Sequence, residues 1–121
     1  MIKTTKAALG ELAHKARIVA DEPDLQESYG ITEQEAIDVT FDLMRMQRKG
    51  AMFYSGGKSN VVLRMLADEA EDAAVVFRDI ARAATSPSER KKAREAALDL
   101  DVLAQNINAT ITANAYKAAS K

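Results

Sequence analysis

Apolar positions from Asn60 to Thr85 recur in steps of three and four: Leu63, Leu66, Ala70, Ala73, Phe77, Ile80 and Ala84. On a helix these positions form one stripe, which must be covered by other elements. The stretch is entered through Ser55, Gly56, Gly57, Lys58 and Ser59. Upstream, Leu9, Leu12, Ala13, Ala16 and Val19 share a face of a first helix that starts at Thr4 or Thr5 and runs to about Ala20. Within it, Gly10 either weakens the helix by about 1 kcal/mol relative to alanine or lets a neighbour approach closely. His14 lies at the edge of that face and reads as a structural residue.

Asp21 to Gly30 contains Asp-Glu-Pro-Asp, a turn signal that ends the first helix, with Leu25 and Tyr29 pinning the connection to the core. Thr32 and Glu35 then have the spacing of a capping box. The second helix runs to about Lys49, burying Ala36, Ile37, Thr40, Phe41, Leu43 and Met44, with Gly50 as its C-cap. Ser86, Pro87 and Glu89 mark another helix start. From there Ala93, Ala96, Ala97, Leu100, Leu103, Ala104, Ile107 and Ile111 continue a helical stripe. Residues 106–115 also alternate strictly between apolar and polar, as a strand would, yet they prolong an unbroken helical pattern and are read as helix.

These patterns predict an all-α fold of residues 1–121 as a single domain. It has four principal helices forming a small bundle, the last two a long antiparallel C-terminal hairpin. A central helix of about 26 residues spans about 39 Å. Two shorter helices leave part of such a hairpin uncovered, and uncovered apolar surface is a docking site. The leading expectation is a non-enzymatic, cytoplasmic interaction or regulatory module that joins a protein partner or itself, as a homo-oligomer, through that hairpin.

Composition narrows the chemistry. With no cysteine, thiolate sites and disulfides have no residues to build from, and a single histidine, His14, weighs against a histidine-based metal site or a Ser-His-Asp arrangement. No apolar run approaches the roughly 18 residues of a membrane span, and no long apolar block follows the basic start as a secretory signal requires. Net charge is −1, but it is segregated. Residues 21–42 carry Asp21, Glu22, Asp24, Glu27, Glu33, Glu35, Asp38 and Asp42 without a base, whereas residues 43–58 carry Arg45, Arg48, Lys49 and Lys58 without an acid. Such blocks are solvated helix faces or steer a charged partner or a second copy of the chain.

Two further readings use particular residues. Gly56, Gly57, Lys58 and Ser59 resemble the end of a phosphate-binding P-loop, but the first glycine of that pattern falls on Met52, so an NTPase is excluded. A nucleotide or single-stranded nucleic acid could still meet backbone N–H groups at the helix start, with Lys58 and Ser59 adding contacts. Phe53 or Tyr54 would then stack on a base and Arg45, Arg48 and Lys49 would meet phosphate. Separately, Glu35 with Asp38 and Glu69 with Asp72 are i,i+3 pairs that could hold magnesium. In this the chain is similar to the all-α nucleotide pyrophosphohydrolases related to MazG, although no full Glu-Glu-x-x-Glu motif is present. That similarity implies a magnesium-dependent hydrolase; the other readings need no cofactor.

Overall fold

The computed structural model describes residues 2–3, 5–49, 52–53 and 57–120, with side chains for 5–49 and 57–120. It is all-α, with five helices among the described residues: α1 (Lys6–Asp21), α2 (Pro23–Tyr29), α3 (Glu33–Arg48), α4 (Asn60–Ala83) and α5 (Pro87–Ala119). Two-residue strands β1 (Ile2–Lys3) and β2 (Met52–Phe53) pair antiparallel, Ile2 opposite Phe53 and Lys3 opposite Met52.

Local chemistry sets most helix starts. The Thr5 hydroxyl accepts from Ala8 N–H at 3.1 Å, and the Thr5 N–H donates to Asp99 Oδ2 on α5 at 2.8 Å. A carboxylate there also suits the positive end of α1. At α3 both halves of the capping box form: Glu35 N–H to Thr32 Oγ1 at 3.1 Å, and Thr32 N–H to Glu35 Oε1 at 3.0 Å. Ser59 and Ser86 cap α4 and α5.

The segment read as a turn holds a fifth helix. Pro23 ends α1, but it also occupies the first position of α2, where its missing N–H costs nothing. Gly30, at φ +73°, closes α2 with its N–H on Glu27 O while Ile31 N–H reaches Gln26 O, and a left-handed stop of this kind favours glycine. The C-cap of α3 is Lys49; Gly50, the expected cap, lies outside the described residues.

The core is built of leucine and alanine: Leu9, Leu12, Leu63, Leu66, Leu100 and Leu103 are fully enclosed, and Ala16, Ala70, Ala73 and Ala96 let helices approach closely. Helices α4 and α5, joined by residues 84–86, share the most extensive contact in the molecule. Arg78 pairs with Asp101 at 2.8 Å across them, and Asn114 Nδ2 donates to Asn60 Oδ1 at 2.9 Å. Helix α1 touches all four other helices, and α3 packs chiefly on α1.

The expected stripes are buried on α1 and, up to the partly buried Ile111, on α5, whereas α3 and α4 depart further. On α3, Ala36, Thr40 and Leu43 are enclosed together with Val39, while Phe41 and Met44 are exposed and Ile37 is half-buried. On α4 the stripe is enclosed through Ala73, Phe77 is partly buried, and Ile80 is exposed. Residues 106–115 are helical, as expected. Three of their polar side chains turn back on the helix: Asn106 donates to Val102 O, Thr110 to Asn106 O and Thr112 to Asn108 O.

Candidate functional site

The residues expected to bind an anion are divided between structural tasks and solvent. Ser59 Oγ accepts from Val62 N–H at 3.3 Å as the cap of α4. Lys58 Nζ lies 3.9 Å from Asp42 Oδ2, and its side chain is only 12% exposed, so the loop's basic residue is drawn onto α3. Asp42 also takes Arg45 at 3.2 Å within α3. Arg48 and Lys49 are exposed at the end of α3, where they suit the negative end of the helix dipole. Gly57 has φ +81°, and a Cβ there would meet nothing within 4 Å among the described residues, so it serves the turn into α4 rather than a close approach. Phe53 belongs to β2; its side chain, with Tyr54 and Gly56, lies outside the described residues.

The acidic residues considered for magnesium are occupied individually rather than gathered. Glu35 closes the capping box, and Asp38 accepts from Gln34 Nε2 at 2.8 Å. Glu69 accepts from the Tyr29 hydroxyl at 2.6 Å, while Asp72 is exposed. Among the described residues no group of three or more His, Asp or Glu side chains comes together closely enough to hold a metal ion. His14 is exposed on α1.

Among the described residues Glu69 is the charged side chain that lies buried, 7% exposed on an otherwise apolar face of α4. Burial pushes its pKa up, and Asp72 and Asp68 push the same way, against the Tyr29 hydrogen bond and Lys15. Burial, and then the hydrogen bond to Glu69, likewise raise the Tyr29 phenol. The bond joins α2 to α4 and gives the buried Glu69 Oε1 a donor, which is a structural task.

What remains unsatisfied is apolar surface. Val61, Val75 and Ile80 on α4, and Leu98, Val102 and Tyr116 on α5, are exposed, Leu98 at 62%. A separate groove of about 420 Å³ runs between α1 and α3, where Ile37, Phe41 and Met44 face Arg17, Ala20 and Asp21. Residue spacing alone did not single out Leu98, Val102 or the outward role of Phe41, because an apolar residue at helical spacing reads as core until neighbouring helices are placed.

Among the described residues no helix is long and apolar enough to cross a membrane. Comparison with protein-family models, with curated proteins and with solved structures returned no match.

Proposed function

We propose that the chain is a non-enzymatic protein–protein interaction or regulatory module that acts in the cytoplasm. It docks on a protein partner, or on a second copy, through the outer face of a long antiparallel hairpin made by α4 and α5. The observation that carries this reading is the crowding of exposed large apolar side chains onto those two helices, with Leu98 and Val102 one turn apart on α5. Neighbouring exposed apolar side chains on one helix face, as at Leu98 and Val102, are what a docking site offers a partner. The antiparallel arrangement is supported by the three-residue connection and by the pairings Arg78 with Asp101 and Asn60 with Asn114, whose numbers fall on one helix as they rise on the other.

Nucleotide binding at the glycine loop and magnesium-dependent hydrolysis draw less support, since Ser59, Lys58 and Glu69 already have partners within the chain. Replacing Leu98 and Val102 together by aspartate tests the proposal on gently purified protein, read by size-exclusion chromatography with light scattering. The expected outcome is loss of the associated species with helicity unchanged, because both residues point away from the core. An unchanged mass distribution would count against docking through this face.

A further inference from the structure

We propose that α3 is a second interaction face, on which two copies of this chain pack antiparallel across a two-fold axis near Phe41. This goes beyond hairpin docking, since α3 packs chiefly on α1 and presents its own uncovered face.

Three observations select a second copy as the occupant. Gln34, Ile37, Phe41, Met44 and Arg48 follow one another at spacings of three, four, three and four, the seam of a helix that meets another helix. The seam reads nearly the same from either end: Phe41 at the centre, an apolar residue on each side, and a polar residue beyond. An isologous two-fold contact requires such a surface, because it must complement itself.

Charge fixes the direction. All acids of α3 (Glu33, Glu35, Asp38 and Asp42) precede all its bases (Arg45 and Arg48). Antiparallel packing sets the acidic half of each copy on the basic half of the other, bringing Asp38 within reach of Arg45 of the second copy; parallel packing would set like on like. The two helix dipoles oppose each other favourably in the same arrangement. Finally, Phe41 is 58% exposed beside the α1–α3 groove of about 420 Å³, so each copy offers both a bulky apolar side chain and a recess next to it.

Sedimentation velocity and native mass spectrometry on the full chain, from about 1 μM to about 1 mM, test this; a face one helix pair wide is at the small end of stable interfaces. The wild type is expected to reach twice its 13.2 kDa mass as concentration rises. Phe41→Ser should weaken the dimer roughly tenfold or more with helicity retained. Asp38→Arg alone and Arg45→Asp alone should each be impaired, since each sets like charges across the axis twice. Mixing these two variants should restore a dimer containing one copy of each, with every cross-axis pair then of opposite sign.

A wild type that stays at 13.2 kDa throughout the series overturns the proposal. So does a dimer indifferent to Phe41→Ser, or a pair of variants that fails to form the mixed dimer. A dimer lost on replacing Leu98 and Val102 but untouched at Phe41 would place self-association on the hairpin instead. One lost at Phe41 but not at Leu98 and Val102 would uphold α3 and count against the hairpin.

Discussion

At Glu69 the chain keeps a carboxyl group where its charge is unfavourable. Its folded pKa lies above the ordinary value of 4.5, mainly because burial disfavours the ionised form. From that value upward, until the folded group ionises, the folded chain holds more proton than the unfolded one, so this group's contribution to stability falls as pH rises. Urea unfolding across that window should therefore show the wild type losing stability with rising pH relative to Glu69→Gln, whose amide oxygen can still accept from Tyr29. Parallel curves for the two proteins would refute the assignment. Tyr29→Phe leaves the buried oxygen without its donor and should cost about 1–3 kcal/mol.

Gly10 also acquires a definite meaning at this scale. A Cβ there would stand 2.7 Å from Gln47 Nε2, which donates to Lys6 O at 2.8 Å. The end of a flexible side chain can move, so Gly10→Ala exchanges one exposed hydrogen bond for better helix propensity. A change within about 1 kcal/mol of zero is expected in thermal unfolding. A loss greater than about 2 kcal/mol would mean that Gln47 cannot be displaced.

Among the elements, α2 best shows why some structure was legible and some was not. Helix starts at Thr32, Ser59 and Ser86 are local chemistry, written in a few adjacent residues, and each forms. Asp-Glu-Pro-Asp has two valid local solutions, a turn or a helix beginning on proline, and contacts distant in sequence decide between them. Here Gln26 Nε2 donates to both Val19 O and Ala20 O at 3.0 Å, so α2 closes the end of α1, while Tyr29 reaches Glu69. Gln26→Ala should then lower stability by about 1 kcal/mol or more, because Ala20 O loses this donor and Val19 O keeps only the Glu22 N–H. No measurable loss in urea unfolding would show that water replaces it. The β1–β2 pairing could not be read at all, since two residues carry no periodicity.

For the molecule as a whole, the longest apolar stripe marks the helix with the most buried residues but not the one that reaches every neighbour. The stripe lies on α4, but α1 is the helix that touches every other one, with Leu9, Leu12 and Val19 enclosed and small residues between them. Buried positions on α1, most of α5 and most of α4 were legible from spacing because the helices packed around them enclose nearly the whole stripe. The face of α3 was not: Ala36, Ile37, Thr40, Phe41, Leu43 and Met44 make a stripe wider than one neighbour can cover. Helix α1 takes Ala36, Val39, Thr40 and Leu43, leaving Phe41 and Met44 outside. The candidate ligand residues are ambiguous in sequence for a related reason, as caps and ion pairs employ the same serines, lysines and carboxylates that a binding site would.

The central claim is that these exposed apolar faces exist to be covered by protein. Native mass spectrometry of the chain purified gently from cells tests it most directly, reporting subunit number and any retained ligand in one spectrum. Assemblies heavier than the 13.2 kDa chain, lost on substitution at Phe41 or at Leu98 and Val102, are the expected result. A single 13.2 kDa species at every concentration, or extra mass matching a nucleotide or metal ion and unaffected by those substitutions, would contradict it.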